Sequence, residues 1–206
     1  EAGEGATSAS GLAPLFAAPD IDRFDEKAFV LNRSDALLLG GETEYWQLPE
    51  AAWQQRLNLL KAAGMNLVGI TVQWSRYQPL RQPPDLGELR RFLDLCKSSG
   101  LWAQVNIGPF ASERLPAGGV PGWTLALPAQ ERDQALRDWL QALLPVLSEY
   151  QVTKGGPVVS VIERPLPDAG GLTAARSLEQ LFTTIRASGI SGPVLTANAP
   201  AARAGA

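Results

Sequence analysis

The chemistry open to this chain is bounded first by the side chains it lacks. Its 206 residues contain no histidine and a single cysteine, Cys96. This removes Ser-His-Asp and Cys-His mechanisms, His-containing metal sites, thiolate zinc clusters and any intrachain disulfide. Carboxylates, hydroxyls, lysine and tyrosine remain as reactive groups. The Gly-rich segments Gly40-Gly41, Gly118-Gly119 and Gly155-Gly156 form neither a GxGxxG nor a Walker loop, so no nucleotide site is expected. Neither a cofactor nor a metal is expected. The 18 basic residues are balanced by 21 acidic ones, for a net charge of −3, and no Lys/Arg run appears. Such a chain has no electrostatic footprint for nucleic acid or an anionic membrane.

These side chains must be positioned by a fold, and the composition, 45% hydrophobic and 19% charged, is that of a globular chain with one sizeable core. No stretch approaches the roughly 20 apolar residues of a membrane span. Amphipathic stretches of helical period alternate with short apolar, β-branched runs. The joints are alike: Lys61-Ala-Ala-Gly64 leads into Asn66-LVGITVQ, Lys97-Ser-Ser-Gly100 into Leu101-WAQVNIG, and Arg186-Ala-Ser-Gly189 into Pro193-VLTAN. A cation in the last helical turn followed by glycine suits the helix dipole and the left-handed cap.

The pattern predicts strands at about 36–42, 66–73, 101–108, 157–163 and 193–198, and helices at about 49–63, 85–99, 130–150 and 172–188. A small strand at Ala28-FVLN precedes them. Leu86, Leu89, Leu93 and Cys96 share one helical face and should bury against a sheet, which makes Cys96 a packing residue. Near-continuous apolar strands such as PVVSVI imply a parallel sheet covered by helices. Five βα units fit an open doubly wound sheet or part of a (β/α)8 barrel, which usually takes about 250 residues.

Four stretches resemble the β-galactosidases of glycoside hydrolase family 35, whose catalytic domain is a (β/α)8 barrel. Gly40-Gly41-Glu42-Thr43-Glu44-Tyr45-Trp46-Gln47-Leu48-Pro49, followed by Trp53 and Arg56-Leu57, is similar to the family's first strand and the start of its first helix. Ala63-Gly64-Met65-Asn66-Leu67-Val68, running to Trp74 and Pro79, resembles its second strand. Gly108-Pro109-Phe110 and Gly118-Gly119-Val120-Pro121-Gly122-Trp123 resemble the segment after strand 3, and Gly155-Gly156-Pro157-Val158-Val159-Ser160-Val161 the start of strand 4. The likeness covers about residues 28–200, in order. It implies an α/β, TIM-barrel-like fold of about five βα units, apparently incomplete, and a carbohydrate ligand.

The departures fall where the family keeps its chemistry. Its Tyr and Asn on strand 2 become Thr71 and Ser75, and its His-Glu becomes Tyr77-Gln78. The sugar-binding Ala-Glu pair after strand 3 aligns with Glu113-Arg114, and the Asn-Glu pair that supplies the acid/base aligns with Pro165-Leu166. The resemblance puts the nucleophile on strand 7, beyond Ala206. Retaining glycosidases need two carboxyl groups about 5–5.5 Å apart across the scissile bond. Glu163 is the only carboxylate near the end of strand 4, and it replaces the acid/base only if the following loop is shortened.

Candidate sugar contacts are Glu42, Tyr45, Trp74, Glu113 and Trp123, with Glu163 as the candidate catalytic residue. Glu42, Glu44 and Glu113 could equally be rim partners for Arg76 or Arg114. The face of a pyranose packs well on an aromatic ring, which suits Trp46, Trp74 and Trp123 on the loop side, whereas Trp53, Trp102 and Trp139 are expected in the core. The segment 164–171, with two prolines and two glycines, cannot present the backbone of the family's acidic loop.

Three readings follow. The first is a family 35-like domain that has lost catalysis and binds carbohydrate or serves a structural role. The second is the N-terminal part of an active retaining hydrolase. The third is an accessory subunit whose protein partner covers the open barrel edge. The expected organisation is a flexible segment at 1–27, a barrel region at 28–200 and a disordered tail at 201–206. The opening EAGEGATSAS reads as a linker, a cut boundary, or the mature N-terminus of an exported, extracytoplasmic protein.

Overall fold

Helices closed by glycine and followed by β-branched runs recur along the chain, and the computed structural model shows what those joints build. It describes residues 22–24, 29–31, 34–164 and 171–196. Three short strands, β1 (Asp22–Phe24), β2 (Phe29–Leu31) and β3 (Ser34–Ala36), form an antiparallel sheet in that order. Five more follow: β4 (Gly40–Glu42), β5 (Leu67–Thr71), β6 (Trp102–Pro109), β7 (Val158–Arg164) and β8 (Val194–Thr196). They make one parallel sheet in sequential order. The long crossovers are α1 (Trp53–Ala62), α3 (Gly87–Ser98), α5 (Ala129–Tyr150) and α6 (Gly171–Ala187). Two single turns, α2 (Trp74–Tyr77) and α4 (Gly122–Leu125), shape the loops.

The predicted joints close as the dipole and cap argument requires. At the end of α1 the Gly64 N–H donates to Lys61 O and the Met65 N–H reaches back to Leu60 O, with Gly64 at φ +82°. Gly100 repeats this at φ +69°, with the Leu101 N–H donating to Cys96 O. Lys61 Nζ donates to Ser99 O at 2.7 Å, tying the first joint to the second.

Apolar residues sort the sheet into two faces. Val68, Ile70, Ala103, Val105, Ile107 and Val161 face the helices, where they meet Leu57, Leu89, Leu93, Cys96, Leu143 and Leu147. Two aromatic groups anchor this layer. The Tyr45 ring stacks on Phe92 at 4.2 Å with Trp53 edge-on to both, and the Trp74 ring stacks on Trp139 at 5.9 Å. Cys96 is buried, as expected, and burial pushes its thiol up from its ordinary value.

On the opposite face Leu67 and Trp102, at the N-terminal ends of their strands, join Leu31, Val152 and Val159, with Ala36 and Leu38 packed alongside. The antiparallel sheet therefore plugs the N-terminal end of the barrel interior and leaves the C-terminal end open.

Two expectations need correction. The strand predicted at 36–42 divides: residue 36 ends β3, and β4 begins at Gly40. Between them the Asn66 side chain stands in for a ladder partner, donating from Nδ2 to Leu37 O (2.8 Å) and accepting from the Leu39 N–H (2.9 Å). The single strand predicted at Ala28-FVLN is the centre of a three-stranded sheet, and β1 lies inside the segment expected to be flexible. The rest of that segment up to Ile21 and the predicted tail at 201–206 lie outside the described residues.

Candidate functional site

Alternation along parallel strands decides which side chains reach the open end. On β5 residues 69 and 71 turn away from the helices, on β6 residues 104 and 106, and on β7, beyond an irregularity in register that leaves Val159 unpaired, residues 160, 162 and 164. At the C-terminal ends of these strands a cleft of about 160 Å³ opens. Glu42, Thr43 and Glu44 line one end of it, Gly69, Thr71, Gln104 and Asn106 its floor, and Ala111, Ser112, Ile162 and Arg164 the other end.

The floor is polar and internally bonded. Gln104 Nε2 donates to Ser160 Oγ at 3.0 Å, and Asn106 Nδ2 to Thr71 Oγ1 at 3.4 Å. Asn106 Oδ1 accepts the Gly108 N–H at 3.0 Å, which fixes the amide orientation and the turn into the next loop. Gly69 leaves room for Glu42, whose Cγ would lie 3.3 Å from a Cβ at that position. Thr43 is 3% exposed and its Oγ1 has no hydrogen-bond partner.

Arg164 is the cation of the cleft. Its Nη1 donates to Ala111 O at 3.3 Å, its guanidinium lies 5.7 Å from the Phe110 ring centroid, and its buried Nε has no acceptor. Phe110 is held in turn by Gly118, which lies at φ +67° and whose carbonyl accepts the Ala111 N–H at 2.7 Å. A Cβ on Gly118 would fall 2.5 Å from the Phe110 ring.

The predicted site residues divide sharply. Glu42 and Glu44 are exposed at the cleft, and Glu44 accepts a hydrogen bond from Gln47 Nε2. Neither pairs with Arg76, which bonds Glu88 at 3.2 Å instead. Tyr45 is fully buried in the helix layer, hydrogen-bonded to the Tyr77 hydroxyl, and burial pushes both phenols up. Trp74 is 2% exposed, with Nε1 donating to Gln78 Oε1 at 2.7 Å. Both are packing residues, a departure from the expected ligand contact, because the single turns after β4 and β5 fold their rings back into the core. Trp123 is half-buried edge-on against Trp74 and donates to Gln78 O at 3.1 Å, outside the cleft lining. Trp46 is half-buried against the core and Glu113 is exposed, and neither lines the cleft.

Glu163 departs furthest from expectation. It is 2% exposed and alternates with Ile162 and Arg164, so its carboxylate lies on the face of β7 opposite the cleft. Oε1 accepts the Thr196 hydroxyl at 2.6 Å and Oε2 has no partner. Burial pushes this carboxyl up, partly opposed by the Thr196 hydrogen bond. Pro165-Leu166 and the rest of 165–170 lie outside the described residues.

Sequence reasoning passed over Thr43, Thr71, Gln104, Asn106, Ser112 and Arg164. A signal existed for the strand residues: polar side chains at alternate positions near the ends of otherwise apolar runs. Among the described residues no group of three or more His, Cys, Asp or Glu could hold a metal ion, and no helix is long and apolar enough to cross a membrane.

Sequential parallel strands, covering helices and a polar cleft at the strand C-termini define a (β/α)-barrel region of the kind that builds its sites from rim loops. The chain belongs to glycosyl hydrolases family 35, which it matches over residues 28–164. Probable beta-galactosidase B of Talaromyces marneffei is 30% identical over 207 residues, covering 90% of this chain and 20% of that protein. Beta-galactosidase-1-like protein 3 of Rattus norvegicus is 29% identical over 65% of this chain and 23% of its own length. The Exo-beta-D-glucosaminidase of Thermococcus kodakarensis is 27% identical over 67% of this chain and 22% of its own. The chain thus spans about a fifth of the length of these relatives. Among solved structures, the exo-beta-1,4-mannosidase Op5Man5 from Opitutaceae bacterium strain TAV5 superposes with a TM-score of 0.63 at 21% identity, covering 79% of this chain and 32% of that one. This likeness establishes the barrel fold.

Proposed function

We propose that this chain binds carbohydrate at its C-terminal rim without hydrolysing it. The family and its β-galactosidase and glucosaminidase relatives supply the ligand class. The observation that carries the reading is the end of β7, where Ile162 and Arg164 face the cleft and Glu163 faces away. Retaining hydrolysis needs carboxyl groups on opposite sides of the scissile bond. Among the described residues the carboxylates lining this cleft, Glu42 and Glu44, both stand at its β4 end. What remains is a hydroxyl-binding floor of Thr71, Gln104 and Asn106.

The test pairs nitrophenyl-β-galactoside hydrolysis with calorimetric titration of galactose. Saturable binding without nitrophenol release, weakened at least about tenfold by Asn106→Ala, is the expected result. Turnover abolished by Glu163→Gln would overturn it in favour of an active hydrolase.

A second reading, a protein partner covering the open sheet, draws on β4 and β8, each paired on one side only among the described residues. Unpaired edges recruit partners. A heterologous chain that co-purifies and slows amide exchange in β8 would favour it. An extracytoplasmic location is part of the same proposal and is tested by fractionation of the source cells.

A further inference from the structure

The charge of the cleft is unevenly distributed. Arg164 stands at the β7 end, and among the described residues the only carboxylates in the lining, Glu42 and Glu44, stand at the β4 end. Three inter-strand steps separate them, roughly 14 Å at the usual strand spacing. No carboxylate among the described residues pairs with Arg164. Its Nε is buried without an acceptor, and among the described residues the carbonyl of Ala111 and the face of Phe110 are what offset its charge. A guanidinium held this way is short of an anion, since a partly buried cation without a counter-charge is costly. Thr43, nearly fully buried with an unsatisfied hydroxyl, marks the other end of the same lining as also lacking a partner.

We infer that the saccharide taken by this cleft carries an acid group, a uronic acid whose carboxylate binds Arg164 while its ring hydroxyls lie over Asn106, Gln104 and Thr71. This rests on the carbohydrate-binding reading above. The planar fork of a guanidinium matches the two oxygens of a carboxylate, and such charge-assisted pairs are about twice as strong as neutral ones. Orientation follows from the charges: the carboxylate is drawn to β7 and repelled from Glu42 and Glu44, and those two carboxylates accept hydrogen bonds from the ring hydroxyls at the far end. The floor between them is neutral and bonded within itself, so it contributes hydroxyl contacts without opposing either end.

The experiment is calorimetric titration of the full chain with D-galacturonate, D-galactose and galactose 6-sulfate at low and high salt. Galacturonate should bind roughly tenfold or more tightly than galactose, with the advantage shrinking as salt rises. Arg164→Gln should bring the two sugars to within about twofold of each other, and Arg164→Lys should keep part of the preference. The wild-type comparison does not depend on either variant folding.

Equal binding of galacturonate and galactose would overturn this inference while leaving the carbohydrate-binding reading intact. Tighter binding of galactose 6-sulfate than of galacturonate would overturn the assignment to a carboxylate, and a preference that survives in a folded Arg164→Gln would remove Arg164 from it. Binding of none of the three sugars would overturn both this inference and the reading on which it rests.

Discussion

Glu163 shows how one residue's direction along a strand changes its meaning. Its folded-state carboxyl titrates above its ordinary value because burial disfavours the charged form, with the Thr196 hydroxyl pulling the other way. The folded state therefore holds the proton more tightly than the unfolded chain does. This contributes stability that is fully present below the ordinary carboxylate range and is lost as pH rises through the raised folded value. Glu163→Gln keeps an acceptor for Thr196 and removes the buried charge. Thermal melts from about pH 4 to pH 8 should show the variant more stable than wild type at the neutral end and flatter across the range; a wild type whose stability rises with pH through this interval, and a variant without that rise, would contradict the assignment. Phe92, fully buried between Tyr45 and Trp53, offers a contrasting test. Phe92→Ala should cost about 3–5 kcal/mol in urea unfolding, since the cavity opens between two large rings with little freedom to collapse.

Among the elements, the loop after β6 shapes one end of the cleft through a short mechanical chain. Gly118 lies against Phe110, Phe110 lies against the Arg164 guanidinium, and Arg164 lines the cleft. Gly118→Ala would place a methyl group against the Phe110 ring on a left-handed backbone. The backbone alone should cost roughly 1–2 kcal/mol of stability by denaturant titration. Sugar binding should weaken in the same variant, because Phe110 and Arg164 must move. The other informative element is the connection from β3 to β4. Asn66→Ala removes both side-chain hydrogen bonds that hold residues 37–39 and should cost about 1–3 kcal/mol, while Asn66→Asp keeps the acceptor for the Leu39 N–H and loses only the donor.

At the scale of the whole molecule, the two ends of the barrel interior are treated differently. Leu31, Leu67, Trp102 and Val159 fill the N-terminal end, and polar side chains line the C-terminal end. The parallel sheet is most thoroughly bonded at β6 and β7, whereas β4 and β8 are short and paired on one side among the described residues. Native-state amide exchange should follow this order, slowest in β6 and β7 and fastest in β4 and β8. Uniform protection across all five strands in the isolated chain would mean that its edges are covered from within the chain, which would remove the ground for the partner reading.

The sequence by itself determined the βα alternation, because helical period, the cation-then-glycine ends of the helices and the β-branched runs are local signals. Lys61 to Gly64 and Lys97 to Gly100 were legible as joints for that reason, and the ordered stretches from Gly40 to Val161 were enough to place the chain in its family. The core roles of Trp53, Trp139 and Cys96 were legible for the same reason, since helical spacing states which face is apolar. The direction of side chains at the ends of elements was decided only by the tertiary structure. Tyr45 and Trp74 read as rim aromatics, yet single turns fold them inward. Glu163 and Arg164 are neighbours in sequence, and strand alternation sends one to the helix layer and the other to the cleft. Such a choice depends on register against neighbouring strands, which a one-residue slip reverses and which local sequence does not encode.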